Sequence, residues 1–121
     1  MNEANLDRVA SSRVLETLAS ERLRTVALCR TLREGFDSIV EASRSSNADD
    51  EHDPEGATVA FERAQVVALL AQSESRLDEI DRALQRWRQG RYGTCDSCGE
   101  PIAAERLAAR PAASTCLRCA I

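Results

Sequence analysis

Four cysteines constrain this chain more than any other feature. Cys95, Cys98, Cys116 and Cys119 read C-x2-C-x17-C-x2-C, within the spacing of four-cysteine zinc sites. Each C-x-x-C is a tight knuckle that turns two sulfurs toward one point. Two knuckles supply the four thiolates that a structural Zn2+ takes tetrahedrally. Gly93 and Gly99 flank the first knuckle, and Gly99 stands where such a turn needs positive φ. Four protein ligands leave no open position for water, so the expected metal is one structural zinc rather than a catalytic one. Two disulfides are the competing reading, and the lack of a basic-then-apolar leader argues against it. Cys29 stands apart, in an apolar helical stripe, and is expected to be a buried free thiol.

The rest of the 121 residues must fold with few large side chains. There are one Trp, one Tyr and two Phe, and all sixteen basic residues are Arg. Acids number 20, for a net charge of −4. Ala, Leu, Glu and Arg dominate, which suits long helices rather than a thick globular core. The acidic balance speaks against coating nucleic acid. No apolar run approaches the roughly 20 residues of a membrane span, and the chain reads as cytoplasmic.

Two periodic arms follow from the hydrophobic pattern. In the second, Val59, Arg63, Val66, Leu70, Ser73, Leu77, Ile80, Leu84 and Trp87 are spaced alternately by four and three, the repeat of a coiled-coil seam. In the first, Leu15, Leu18, Arg22, Thr25, Cys29, Leu32, Phe36 and Ile39 form the matching stripe. Arg22 and Thr25 weaken it, with Val26 a substitute for Thr25. Asp53-Pro54-Glu55 is a helix start and Gly90 a helix stop, which predicts a second helix over about residues 54–89. The expected fold is all-α: a long antiparallel coiled-coil hairpin over residues 1–89, with a tip loop at about 45–54, and a four-cysteine module over 90–121. Leu6 and Val9 are expected to pack near the hairpin base.

Charge gathers at the tip. Asp49, Asp50, Glu51, Asp53 and Glu55 place five acids in seven residues. The helix start accounts for Asp53 and Glu55 but not for the other three, and most charge runs are simply solvated. An acidic knob at the end of a stalk can also reach into a basic cleft or toward a bound metal ion. His52, the only His, lies within this cluster.

Residues 90–119, GRYGTCDSCGEPIAAERLAARPAASTCLRC, resemble the DksA/TraR family of bacterial transcription regulators. The pattern is G-x-Y-G-x-C-x-x-C-G-x-x-I, then R-L-x-A-x-P, then C-x-x-C. It is met by Gly90, Tyr92, Gly93, Cys95, Cys98, Gly99, Ile102, Arg106, Leu107, Ala109, Pro111, Cys116 and Cys119. The resemblance implies a protein that binds RNA polymerase directly rather than promoter DNA. Its hairpin would enter the secondary channel and bring its tip near the active site. The family tip carries D-x-x-D-x-A. Here Asp50-x-x-Asp53 keeps both acids but meets Glu55 where Ala is expected, whereas His52-x-x-Glu55-x-Ala57 keeps the Ala and the second acid. Counting back from Cys95 without gaps favours the second register. The expected tip contacts are therefore Asp50, His52, Asp53, Glu55 and Ala57. In longer members a helix after the last Cys takes part in guanosine tetraphosphate action. Only Ala120 and Ile121 follow Cys119 here, and there is no Lys, which argues against a response to that nucleotide.

Near the hairpin base Arg88, Arg91, Arg106, Arg110 and Arg118 cluster in sequence. Arg91, Arg106 and Arg110 are candidate polymerase contacts, although most such arginines are solvated. Trp87, Tyr92, Ile102, Leu107 and Pro111 are expected to pack the module. A DNA-reading finger is the first rival, since similar spacings occur in GATA-type fingers. It would need a basic helix or tail to reach a groove, and residues 91–121 hold four Arg against three acids. A zinc-stapled scaffold or adaptor without a transcriptional role is the second. An enzyme is the least supported: no nucleophile–base pair, Gly-rich phosphate loop or open metal site is apparent.

Overall fold

The structure is a computed structural model. It describes the backbone of residues 3–46 and 54–120 and the side chains of residues 13–42, 44 and 56–120. Three helices account for most of it: α1 (Glu3–Ser46), α2 (Pro54–Arg88) and α3 (Ala104–Ala109). The described residues contain no strand; the one β-type pairing is an isolated antiparallel bridge, Thr94 to Pro101. The fold is the expected all-α one, with two long antiparallel helices packed together and a cysteine-rich module after them. None of the described helices is long and apolar enough to cross a membrane.

The helix ends follow local chemistry. α2 begins at Pro54, where a missing N–H costs nothing. It stops at Arg88 because Gly90 turns left-handed, with φ +71. The Gly90 N–H donates to Trp87 O at 3.1 Å and the Arg91 N–H to Arg86 O at 2.8 Å, the paired bonds of a Schellman stop. α1 runs on through Ser45 and Ser46 and α2 takes in Pro54; the rest of the expected 45–54 loop lies outside the described residues. Leu6 and Val9 lie in α1, but their side chains are outside the described set.

The chain divides into two compact units. One joins Met1–Arg24 to Leu77–Ile121, the other is Thr25–Arg76. In the first, Leu18, Ile80 and Ala83 are fully buried, and Val14, Leu84, Tyr92 and Ala112 pack against them. The helices and the cysteine module therefore share one core. Leu15, expected in the seam, is 40% exposed, and Val14 packs inward in its place. A straight helix drifts against a 3.5-residue repeat by about 20° per heptad, which changes the residue that faces inward at the end of a long stripe. Arg22 leans out of the stripe, and its Nε donates to Asp81 Oδ1 at 2.6 Å. In the second unit Thr25, Cys29 and Ser73 are buried, and Leu32, Phe36, Ile39, Val59, Val66 and Leu70 are half-buried. Thr25 thus keeps its seam position and Val26 does not displace it. Arg33 Nη2 meets Glu74 Oε1 at 2.7 Å on the surface.

Because Leu18 is wholly enclosed by a small core, Leu18→Ala is expected to cost about 2–5 kcal/mol. Urea unfolding followed by helix circular dichroism measures it.

Candidate metal centre

The four cysteines converge. One Sγ from each of Cys95, Cys98, Cys116 and Cys119 lies within 4.8 Å of the others. The Cys98 and Cys116 sulfurs are 3.8 Å apart. Zn–S bonds of about 2.3 Å in a tetrahedron give an S···S edge of about 3.8 Å, so the donor set fits one structural zinc ion.

The knuckles are built by backbone bonds that their sequences permit. Gly93 and Gly99 adopt φ of +86 and +76, conformations that cost most other residues about 1 kcal/mol or more. The Cys95 N–H donates to Glu100 O at 2.8 Å, and the Gly99 N–H to Cys95 O at 2.9 Å. The second knuckle closes with Cys119 N–H to Cys116 O at 3.1 Å. Behind the sulfurs, Ile102 is 5% exposed and packs with Cys95 and Cys116, with Leu107 alongside. The hydroxyl of Tyr92 donates to Pro111 O at 2.7 Å, and its ring meets Trp87 edge-on, centroids 5.4 Å apart. These contacts give Trp87, Tyr92, Ile102 and Leu107 their expected packing roles.

Without a cation, four thiols so close cannot all ionise. Backbone N–H groups of Cys116 and then Cys98 hold the Cys95 thiol down at about 6. The N–H of Cys119 lowers Cys116 in the same way. The N–H of Glu100 favours a thiolate at Cys98, but the neighbouring thiols, Cys95 foremost, outweigh it together with burial and push Cys98 up. Cys119 is raised to about 12 by hydrogen bonding with Cys116, Cys95 and Cys98. The polypeptide favours charge at one cysteine of each knuckle, and a bound cation is what allows the other two to ionise.

The expected polymerase-contact arginines separate by environment. Arg91 and Arg110 are exposed, and Arg91 bonds to the Gln89 side chain. Arg106 is half-buried and its Nε donates to Thr115 O at 2.8 Å, which makes it a brace inside the module. Sequence reading missed Arg86. It is 6% exposed, and its Nη2 lies 3.4 Å from both Ala112 O and Ala113 O. The i+3 steps from Ile80 to Ala83 to Arg86 were the available signal. Of the tip residues, Asp50, His52 and Asp53 lie outside the described residues, as does the side chain of Glu55. Ala57 is exposed on α2.

Fold and site together define a helical hairpin carrying a four-cysteine zinc finger. Residues 90–121 match the family model described as the prokaryotic dksA/traR C4-type zinc finger. The chain is 34% identical over 71 residues to general stress protein 16O of Bacillus subtilis, covering 59% of this chain and 44% of that protein. It is 50% identical over 38 residues to the RNA polymerase-binding transcription factor DksA of Caulobacter vibrioides, covering 31% of this chain and 27% of that one. These matches span less than half the length of either relative. The solved structure of transcription factor DksA2 from Pseudomonas aeruginosa superposes with a TM-score of 0.77 at 26% identity, covering 98% of this chain and 85% of that one. Residues 90–121 therefore form a zinc finger of the dksA/traR C4 type, and the chain as a whole is similar in fold to DksA2.

Proposed function

We propose that this protein regulates transcription by binding RNA polymerase directly, with its helical hairpin in the secondary channel and its acidic tip near the active site. The observation that carries the reading is the likeness to transcription factor DksA2 along 98% of the chain. The four-cysteine finger at the base supports it. The zinc staples the base and takes no part in chemistry, since four thiolates fill its coordination.

Asp50, His52, Asp53, Glu55 and Ala57 form the acting end. Carboxylates there would alter the field around a metal-dependent active site in the partner. That changes the partner's reaction without making this chain an enzyme. Arg91 and Arg110, exposed at the base, meet acidic groups at the channel mouth, while Arg106 serves the module first. Sequence-specific DNA reading has no part in this account.

The test is binding of zinc-loaded protein to RNA polymerase in the absence of DNA. The expected outcome is a one-to-one complex at micromolar concentration or below. Failure to bind there would rule the proposal out and leave a zinc-stapled adaptor as the better description.

A further inference from the structure

Five consecutive carbonyls, Pro111 to Thr115, lead directly into Cys116, and each accepts a hydrogen bond from outside the segment. Pro111 O receives the Tyr92 hydroxyl at 2.7 Å. Ala112 O and Ala113 O share Nη2 of Arg86, at 3.4 Å each. Ser114 O receives the Asp96 N–H at 2.8 Å. Thr115 O receives Nε of Arg106 at 2.8 Å. The donors come from four places: the base of α2, the turn after it, the first knuckle and α3. An irregular segment has no ladder of its own to satisfy its carbonyls, and here other elements supply every donor.

Arg86 is the unexpected member of this set. Burying a guanidinium is costly, and an apolar side chain would fill the same place on α2 more cheaply. What the cation adds is a pair of bonds to the segment before the second knuckle. Ala112, whose carbonyl is one of the two acceptors of Arg86, also packs into the Leu18–Ile80–Ala83 core. The strap is therefore gripped by the helices from two sides, through its backbone and through its methyl group.

We propose that Arg86 and Arg106 are positioning residues of the zinc centre. They hold the 111–115 strap, and with it the Cys116–Cys119 knuckle, at the spacing the metal requires. Arg86 does so from α2, so retention of the metal is coupled to the base of the hairpin. Coupling of this kind is reciprocal: bound metal also fixes the strap against α2.

The experiment measures zinc release from the full chain into a chromophoric chelator, alongside absorption of the cobalt-loaded protein. Arg86→Ala and Arg106→Ala are each expected to speed release by about tenfold or more and to alter the thiolate–cobalt bands. Arg86→Lys, which keeps one donor group, recovers part of the loss. Two variants separate positioning from general weakening. Arg88→Ala, on the exposed neighbour, leaves release unchanged. Leu70→Ala, which weakens the seam within the Thr25–Arg76 unit and not the core that Ala112 joins, speeds it by less than about twofold. Release at the parent rate in both arginine-to-alanine variants overturns the proposal, as does equal acceleration by Leu70→Ala. Should Arg86→Ala fail to fold, Arg86→Lys and Arg106→Ala decide the matter, and parent rates in both overturn it.

Discussion

Cys116→Ser is expected to lower apparent zinc affinity by at least about a thousandfold and to melt the module, because binding energy in small zinc domains is also folding energy. Cys116 is buried beside Ile102 and Cys95, and no other residue in the cluster can take its place. A strong chelator should do the same to the parent chain. Near-ultraviolet circular dichroism reports it through Trp87 and Tyr92, whose contact lies at the junction of α2 and the module. The helices should persist in part, since Thr25–Arg76 forms a compact unit without the four cysteines of the module.

The same site predicts a pH dependence. Cys95 is held down at about 6 by backbone donors, so in the metal-free fold it is ionised at pH 7. Its ordinary value is higher, so this contribution to stability is present at alkaline pH and is lost as pH falls through about 6. Cys98 and Cys119 are shifted the other way and keep their protons until metal arrives. Zinc binding to a metal-free chain that kept its knuckles folded would release fewer than four protons at pH 7, whereas binding to the melted module releases close to four; affinity should fall as the solution is acidified in either case. Calorimetry in buffers of different ionisation heat counts the protons. Release of close to four is the result that a melted metal-free module predicts; clearly fewer would mean that the knuckles persist without metal, with Cys95 already a thiolate.

The second large effect concerns the acidic segment between α1 and α2. Asp50, Asp53 and Glu55 changed together to Ala should leave polymerase affinity within about threefold, because charge complementarity sets on-rate and specificity more than the strength of a docked complex. The effect on initiation should be lost almost completely. Parallel binding and single-round transcription assays separate the two. An adaptor would tolerate the change in both assays. Loss of binding and effect together would mean that the tip is the anchor rather than the acting group. Restoring the family pattern with Glu55→Ala, in the Asp50-x-x-Asp53 register, tests which of the two registers operates.

Much of this architecture was legible because it rests on spacing. Two C-x-x-C knuckles determine a metal set whatever surrounds them. The four–three repeat marks the inward stripe of α2 from Val66 to Trp87, with Leu70, Ser73, Leu77 and Ile80 all turned from solvent, whereas Arg63, expected in the same stripe, is exposed. Reading failed where a residue answers to two neighbours. Ala83 and Arg86 are buried because the base of α2 faces both α1 and the module, which widens its inward face beyond a two-helix seam. Nothing in the local sequence of Arg86 marks the partners it finds, the distant carbonyls of Ala112 and Ala113. α3 escaped notice for a different reason: at six residues it is too short to display a helical period. Arg106 sits on it as a brace, a role that depends on where Thr115 folds back rather than on any local pattern.

The most direct measurement places a photo-crosslinking amino acid at His52 in the zinc-loaded chain and mixes it with RNA polymerase without DNA. The account predicts a crosslink to residues lining the secondary channel close to the active site. No complex at micromolar concentration, or a crosslink confined to the outer surface of the enzyme, would contradict it.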